Sequence, residues 1–304
     1  MPLDSFALMS YASFVEPLRA ANLLSKKNLY EVVNAYSRNR LVRSSVGLTV
    51  ECELHYSEIK EFDLFLIVAG GSPESFVDKK LFAWISKQAQ HGKTLGGVSG
   101  GPIVLVKAGV MGNKRMTIHW EHAESVSAIT DTVLLERSLY VIDRERMTCA
   151  GGTAPMDMVL ALIKMQHGQV FAQYVSDWFL HTEIRPSEGP QRGGLSERFG
   201  TTNSHVLGAI ELMQNHLSDT LTLKQLASLV DISTRQLNRM FMKTLGKTTM
   251  SFYRELKLEK SKVLLRNGRM SISEVSEGMG FSNPSHFSNS FTKFYGYSPK
   301  LYRI

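Results

Sequence analysis

Short apolar segments alternate with helical patterns along the first two-thirds of the chain. Apolar runs typical of strands cover residues 62–69 and 94–98. Alternating strands and helices predict an α/β fold with a doubly wound, mostly parallel sheet. Such a fold normally begins with an apolar strand, and because only residues 6–9 fit that role, we expect a short first strand or a truncated start. The other predicted strands are residues 30–36, 116–120, 139–143 and 147–150, and the predicted helices are residues 14–24, 81–90, 102–108 and 154–165.

The last third of the chain carries a duplicated helical pattern. Residues 222–246 read as two short amphipathic helices around a turn, and Gly246 ends the second helix. The same pattern returns at an offset of 49 positions, and at an offset of 50 after one inserted residue. Two helix-turn-helix motifs are therefore predicted. The matching positions are Leu223, Leu226, Val230, Leu237 and Phe241 in the first copy and Ile272, Val275, Met279, Phe287 and Phe291 in the second.

Residues 184–202 combine prolines, glycines and charges without apolar periodicity, which is typical of a linker. We therefore predict an α/β domain over residues 1–183, a linker over 184–202 and an all-α domain over 203–304. Within the all-α domain the further predicted features are a helix over 205–216, a capping box of Thr222 and Gln225, and a long helix over 250–266 closed by Asn267 and Gly268.

Positive charge is concentrated in the last third. Residues 1–200 hold 21 Lys and Arg against 21 Asp and Glu, whereas residues 201–304 hold 14 against 7, which accounts for the whole net charge of +7. This asymmetry favours a polyanion partner, with a solvated basic surface as the alternative, and the repeated motif favours DNA. The sequence contains no apolar run of about 18 residues, and its two cysteines fit a reducing compartment. We expect a cytoplasmic protein without a membrane partner.

Glycine-rich turns follow three of the predicted strands. Glycine doublets there leave backbone amides open to an anion, although tight packing of strand and helix is the alternative explanation. Ser99 lies between a strand and a helix, in the position of a nucleophile elbow, and His119 ends a later strand. Because no turn matches a complete dinucleotide or P-loop fingerprint, we expect no nucleotide cofactor. The turns contain Gly70 and Gly71, Ser99 and Gly100, and Gly151 and Gly152.

The segments 98–102 and 117–120, with 16–22 upstream, resemble the ThiJ/PfpI branch of the class I glutamine amidotransferase-like fold, a flavodoxin-like architecture. The resemblance implies that an early glutamate and a strand-end histidine lie beside the elbow residue. Serine replaces the usual cysteine there, and no acid is placed to orient His119, so we predict no catalysis. A Ser99–His119 hydrolase or deglycase remains the alternative. We predict no metal, because His119 and His122 lack a third ligand. The predicted ligand pocket comprises Glu16, Gly70, Gly71, Ser99, Gly100, His119 and Trp120.

The segments 237–241, 256–261, 280–282 and 295–299 resemble the AraC/XylS DNA-binding domain, and the match spans about residues 203–302. Apolar positions of each recognition helix must face the core, which leaves polar positions outward to read bases in a major groove. Because the first copy holds the arginines, we expect it to carry more of the base specificity. The predicted base readers are Arg235, Gln236, Asn238 and Arg239 in the first copy and Asn283, Ser285, His286, Ser288 and Asn289 in the second, and the predicted phosphate contacts are Thr234, Lys243, Lys247 and Lys293.

The combination of the two domains resembles a class of bacterial regulators. Within that class, residues 116–123 and 175–183 resemble regulators of glycine betaine and carnitine catabolism. The resemblance implies a transcription activator controlled by a small quaternary-ammonium or N-methylated carboxylate. Trp120 is expected to meet the cation, and Ser99 with the glycine amides the carboxylate. The implied partners are double-stranded promoter DNA, the effector, RNA polymerase and a second copy of the chain in a homodimer. A bifunctional protein whose first domain still hydrolyses a small substrate is the alternative.

Overall fold

The computed structural model describes residues 1–266 and 270–302. The chain forms two compact units, of which the first is Met1–Gln191 and the second begins at Arg192. The first unit is α/β and the second is all-α, so the predicted fold classes are confirmed. Within the described residues, no helix is both long and apolar enough to cross a membrane.

The first unit is built on a four-stranded sheet with helices on both faces. Short 3-10 turns lie at Tyr56–Glu58, Pro73–Ser75 and Trp120–His122. The strands are β1 (Ala35–Tyr36), β2 (Leu41–Arg43), β3 (Thr49–Glu51), β4 (Leu54–His55), β5 (Leu64–Ala69), β6 (Thr94–Ser99), β7 (Arg115–Thr117), β8 (Leu134–Glu136), β9 (Tyr140–Asp143) and β10 (Arg146–Cys149). The helices are α1 (Leu8–Ser25), α2 (Lys79–Gln90), α3 (Gly101–Lys107), α4 (Ala123–Ser127), α5 (Ala154–His167) and α6 (Gln169–Trp178).

The main sheet has the order β5-β6-β10-β9, in which β5, β6 and β10 are parallel and β9 pairs antiparallel with β10. The register sets Ala69 opposite Ser99, so the glycine-rich turns that follow β5 and β6 lie side by side. Successive side chains of β5 alternate between two cores. Leu66 and Val68 pack with α1, α5 and α6, whereas Ile67 packs with α2, α3 and α4. The sheet is therefore the middle of three layers.

The start of the chain differs from the prediction that residues 6–9 form the first strand. Leu3 donates its backbone N–H to the carbonyl of Val68 at 2.9 Å, and Val68 donates to the carbonyl of Met1 at 3.0 Å. The residues that extend the sheet beside β5 are therefore the first three, and α1 already begins at Leu8. Phe6 buries its side chain completely where the chain turns from the sheet edge into the helix, which accounts for its apolar character.

Two other predicted strands are shorter than expected. Of residues 30–36, only Ala35 and Tyr36 form a strand, and Val32 and Val33 lie on the surface without a strand partner in the described sheets. The strand expected over 116–120 ends at Thr117, and the chain then enters a 3-10 turn. The hairpin of β9 and β10 and the helices α2, α3 and α5 are confirmed within two residues at each end.

The second unit contains the two predicted helix-turn-helix motifs. The predicted capping box of Thr222 and Gln225 is confirmed. Phe252 and Tyr253 join a first core, and Leu258 and Leu265 join a second, so one long helix serves both motifs. The predicted closure at Asn267 and Gly268 lies outside the described residues. The helices are α7 (Leu195–Phe199), α8 (Ser204–Asn215), α9 (Leu223–Leu229), α10 (Thr234–Leu245), α11 (Thr249–Arg266), α12 (Ile272–Gly278), α13 (Pro284–Tyr295) and α14 (Pro299–Tyr302).

Candidate functional site

Ser99 forms the predicted elbow between β6 and α3. Its φ of 59° is left-handed, a conformation that is uncommon for a residue with a side chain. Gly100 donates its backbone N–H to the carbonyl of Ala69 at 3.1 Å. His119 donates its backbone N–H to the carbonyl of Ser99 at 3.4 Å. A Cβ atom at Gly101 would lie 2.1 Å from the carbonyl oxygen of Ile67, so α3 begins in direct contact with β5. These contacts fix the serine at the carboxyl edge of the sheet.

The turn after β10 closes over the elbow from the other side. A Cβ atom at Gly151 would lie 2.7 Å from Cβ of Ser99 and 3.0 Å from Oγ of Ser10. The hydroxyl of Ser10 accepts a hydrogen bond from the backbone N–H of Gly152 at 2.8 Å. Ser10 lies in α1 and is buried. The residue of α1 that reaches the elbow is therefore Ser10.

Glu16 does not occupy the place beside the elbow that the family resemblance implied. Its carboxylate pairs with Nε of Arg19 at 2.7 Å, and 43% of its side chain is exposed. Glu16 follows Ser10 by six residues, which corresponds to about 9 Å along a helix. The geometry therefore gives no support to Glu16 as a ligand contact.

His119 is held as a neutral imidazole at the rim of the elbow. Its Nδ1 accepts a hydrogen bond from the backbone N–H of Glu121 at 3.3 Å, which places the proton of the neutral ring on Nε2. Burial lowers the pKa of His119, and the Glu121 carboxylate, 4.0 Å from Nδ1, opposes this in part. The ring of Trp120 lies 5.2 Å from that of His119, and 45% of Trp120 is exposed. The rim of the elbow thus combines a neutral imidazole with a partly exposed indole.

Gly70 and Gly71 line a separate cleft of about 690 Å³. A Cβ atom at Gly70 would lie 2.6 Å from the carbonyl oxygen of Ser5, so this glycine serves close packing, as the alternative explanation had it. Arg38 also lines this cleft, where its guanidinium lies over the ring of Phe76 and donates to the carbonyl of Val77. Ser99, Gly100, His119 and Trp120 do not line this cleft, so the predicted pocket residues fall into two groups.

Residues 181–191, here called the docked segment, bind the first unit through two polar anchors. The first anchor is the fully buried carboxylate of Asp157. It accepts hydrogen bonds from the backbone N–H of Arg185 at 2.8 Å and from Nη2 of Arg185 at 2.6 Å, and it lies 3.0 Å from Nε2 of His181. At the second anchor, Nε2 of Gln191 donates to the carbonyls of Ile118 and Ser138 at 3.0 and 2.8 Å. Residues 184–191 of the predicted linker are therefore held against the domain, one residue from His119.

The recognition helix of the first copy is α10. Leu237 and Phe241 are fully buried, as predicted, and Arg235 and Arg239 are exposed. Gln236 is partly engaged, because its Oε1 accepts from the backbone N–H and the hydroxyl of Ser233 in a capping box.

Asn238 is placed differently from its exposed neighbours. It is half-buried, and its Oδ1 accepts a hydrogen bond from the backbone N–H of Thr249 at 3.0 Å, so it caps the start of α11. The two arginines are therefore the exposed charges of this face, and base reading by all four residues stays a prediction.

The recognition helix of the second copy is α13, and its polar residues are also divided between capping and exposure. Asn283 caps the helix by accepting from the backbone N–H of His286 at 2.8 Å. His286 packs against Phe281, and its Nδ1 lies 3.2 Å from the hydroxyl of Ser282. Ser285 and Asn289 are exposed and Ser288 is half-buried. This face carries no arginine or lysine among its predicted readers, in agreement with the sequence.

The similarity to known proteins covers both units. Residues 6–165 match the DJ-1/PfpI family, and residues 226–304 match a helix-turn-helix domain family. The chain is 38% identical to the HTH-type transcriptional regulator GlxA of Rhizobium meliloti (strain 1021), over 97% of this chain and 91% of that protein. The chain belongs to the AraC-type transcriptional regulators that carry a DJ-1/PfpI domain.

The regulator has a second relative of similar extent in the HTH-type transcriptional regulator CdhR of Pseudomonas aeruginosa. The two are 35% identical over 98% of this chain and 88% of that protein. Among solved structures, it is similar to an AraC family transcriptional regulator from Pseudomonas putida, with a TM-score of 0.54 and 25% identity. That match covers 59% of the regulator and 96% of the other chain. DNA binding by the helix-turn-helix domain follows from the family.

The sequence analysis did not predict the contacts of three residues in the regulator's first unit, namely Ser10, Asp157 and Gln191. Ser10 interrupts an apolar helix face with a small polar side chain, which was a usable signal. Asp157 sits within the apolar pattern of α5, and a charge at a core position indicates a buried partner. Gln191 gave no signal, because its partners are backbone carbonyls and a hydroxyl far away in sequence.

Proposed function

We propose that the regulator is a transcription activator whose first domain binds a small zwitterion at the Ser99 elbow without converting it. The zwitterion carries a quaternary or N-methylated ammonium group and a carboxylate, as in betaines and carnitine. The observation that carries this proposal is the position of Trp120, which is 45% exposed, next to the neutral His119.

The cation is assigned to Trp120. A methylated ammonium group has few or no N–H donors, so it is recognised by an aromatic face rather than by acceptors, with a gain of about 0.5–2 kcal/mol. Glu16 does not compete for this role, because its charge is already paired with Arg19.

The carboxylate is assigned to the Ser99 hydroxyl and to Nε2–H of His119. Both are neutral donors, and donors to a carboxylate form strong hydrogen bonds. The Gly100 amide is withdrawn from the predicted set, since it already donates to Ala69.

The same tautomer argues against hydrolysis. A catalytic triad needs an imidazole whose Nδ1–H donates to an acid while Nε2 accepts the serine proton. In the regulator Nδ1 accepts from a backbone amide instead. This arrangement supports a sensor, because His119 is not oriented as the base that would raise the reactivity of Ser99.

Thermal unfolding of the full chain with and without glycine betaine, carnitine or glycine tests this assignment. A ligand that binds only the folded state raises the midpoint temperature, because it adds about 2.7 kcal/mol to the free energy of unfolding at a hundredfold excess over Kd. We expect a rise with a methylated ligand and none with glycine. Trp120→Leu should abolish the rise, whereas Trp178→Leu, which removes a tryptophan that is 50% exposed in α6, should keep it. An undiminished rise in Trp120→Leu contradicts the proposal.

The elbow geometry of Ser99 favours a second candidate, a first domain that still hydrolyses a small substrate. Ser99→Ala separates the two functions. If the wild-type protein activates a reporter promoter in the presence of the ligand and does not convert the ligand, the first domain is a sensor. Turnover that disappears in Ser99→Ala would support the enzyme.

We infer from the family that the regulator acts as a homodimer on promoter DNA and activates by contacting RNA polymerase. Sedimentation of the full chain with and without a promoter duplex tests the stoichiometry. A single copy bound per duplex contradicts the homodimer.

A further inference from the structure

The long helix α11 connects two separate DNA-reading modules. The first reader module is defined as α8 to α10, and the second as α12 to α14. The first half of α11 packs in the core of the first module and the second half in the core of the second. The angle and spacing between the recognition helices α10 and α13 therefore depend on what prevents the modules from moving about this helix.

The modules meet where the loop before α9 touches the turn between α12 and α13. That turn is made by Gly280, whose φ is +60°. The corresponding turn of the first copy is made by Asp231, whose φ is 59°. Because aspartate adopts the same backbone conformation, the turn itself does not require glycine. A Cβ atom at Gly280 would lie 2.5 Å from the carbonyl oxygen of Ser218 and 2.7 Å from Oγ1 of Thr220. Contact with the other module excludes a side chain here.

Lys257, near the middle of α11, ties this contact together. Its Nζ donates to Oγ1 of Thr220 and to the carbonyl oxygen of Gly280, the latter at 3.4 Å. The ammonium also lies over the rings of Tyr253 and Phe281 at 5.3 and 5.7 Å. Thr220 belongs to the loop of the first motif, and Gly280 and Phe281 to the turn of the second. One side chain thus binds both motifs, and this set is called the intermodule joint.

If packing were the only requirement, an apolar residue would be more favourable than a lysine at position 257. Lys257 is 5% exposed, and both acceptors of its ammonium are neutral. A buried charge costs free energy unless it is fully satisfied, and apolar residues of similar volume often replace such charges without loss of stability. In some proteins, a buried polar group that does not improve stability is retained because it specifies one arrangement of the chain.

We propose that Lys257 is a positioning residue for DNA binding, which fixes α10 relative to α13 so that both enter successive major grooves of one duplex. The grooves repeat about every 34 Å, so a change in the angle between the helices puts one of them out of register. The proposal rests on the assignment of α10 and α13 as readers, which Arg235→Ala tests separately.

The experiment uses the full chain and a duplex that the wild-type protein selects from a random DNA library. Binding is compared on the intact duplex, on duplexes with either half of the site scrambled, and on duplexes with one base pair added or removed between the halves. Lys257→Met removes the joint. Lys262→Met is the control, because Lys262 lies in the same helix and its ammonium contacts only rings of the second module among its described contacts, Tyr295 and Tyr302.

We expect Lys257→Met to lose about tenfold in affinity for the intact duplex, because two flexibly joined modules no longer bind as one rigid unit. Affinity for the half-scrambled duplexes should stay close to that of the wild type, and the dependence on spacing should flatten. Lys262→Met should keep the wild-type spacing optimum. Equal losses on intact and half-scrambled duplexes, or no loss on the intact duplex, would overturn the proposal.

Gly280→Ala provides an independent variant that keeps the lysine. Its added Cβ displaces the loop at Ser218, so it should also flatten the dependence on spacing. Gly246→Ala is its control, because Gly246 has a φ of +68° but nothing within 4 Å of the added Cβ. If Arg235→Ala leaves binding to the selected duplex unchanged, the reader assignment fails instead of the joint. A flattened optimum in Gly246→Ala as strong as in Gly280→Ala contradicts the joint.

Discussion

Replacing Lys257 by methionine is expected to change the stability of the second unit in a pH-dependent way. Burial lowers the pKa of Lys257 from 10.5 to about 8. The unfolded chain therefore holds this proton more tightly than the folded chain. In the wild type, the destabilisation caused by the buried lysine charge is fully present below pH 8. It disappears as the pH rises from about 8 towards 10.5.

The size of the effect follows from the same pKa. The lowering of the pKa corresponds to about 3 kcal/mol of destabilisation at neutral pH. Methionine avoids that charge but leaves the Gly280 carbonyl and the Thr220 hydroxyl without their donor, which costs about 1–3 kcal/mol. The two effects nearly cancel, so at pH 7 the variant should be as stable as the wild type or slightly more stable. At pH 9.5 the wild type has regained about 2 kcal/mol, and the variant should be the less stable protein.

Urea unfolding followed by far-UV circular dichroism at pH 7, 8 and 9.5 measures this difference. All three tryptophans lie in the first unit, so their fluorescence identifies the transition that does not belong to α11. Tyr253 and Asp219 should keep their protonation states throughout, because burial raises the pKa of the tyrosine and a hydrogen bond with His216 lowers the pKa of the aspartate. A difference between the two proteins that is constant with pH refutes the view that Lys257 is buried as a cation.

Three further predictions concern the readers and the docked segment. Arg235→Ala should cost about 1–3 kcal/mol on the selected duplex and relax specificity at one base pair, which a library of single-base variants measures. Lys243→Ala should weaken binding to all sequences alike and reduce the salt dependence by about one phosphate contact, as a titration of affinity against salt shows. Asp157→Asn should destabilise the first unit by about 3 kcal/mol and expose the chain near Arg185 to limited proteolysis, because a buried carboxylate loses its charge beside a guanidinium. Unchanged specificity in Arg235→Ala, an unchanged salt slope in Lys243→Ala or unchanged cleavage in Asp157→Asn would contradict the corresponding prediction.

Periodicity predicted both helix-turn-helix motifs and the central strands of the first unit, but not the short strands β2 to β4 and β8 or the helix α6. Leu237 and Phe241 at helical spacing predicted the buried face of α10, because burial of an apolar stripe determines which side of a helix faces inward. Periodicity failed for Asn238, which lies beside that stripe. Its orientation depends on the backbone N–H of Thr249, eleven residues on, which needs a hydrogen-bond acceptor at the start of the next helix.

The candidate pocket was predicted less completely, since its residues come together only through the tertiary fold. The elbow at Ser99 was recognisable because a strand, a glycine turn and a helix follow one another in sequence. Glu16 was placed by family resemblance alone, and the orientation of α1 presents Ser10 to the elbow instead. The docked segment looked like a linker because single polar side chains, such as Arg185 and Gln191, attach it to the domain in a stretch without periodicity.

The left-handed backbone of Ser99 has a consequence for which effectors the domain accepts. Such a conformation costs about 1–3 kcal/mol and persists only where the surrounding structure enforces it. Here Gly101 and Gly151 leave no room for a side chain, so the backbone around Ser99, the floor of the proposed site, is closely packed. A site that is shaped before binding loses little conformational entropy when it is filled, and it selects by fit rather than by adaptation. We therefore expect a narrow range of effectors, in which one additional methylene group at the floor is enough for rejection.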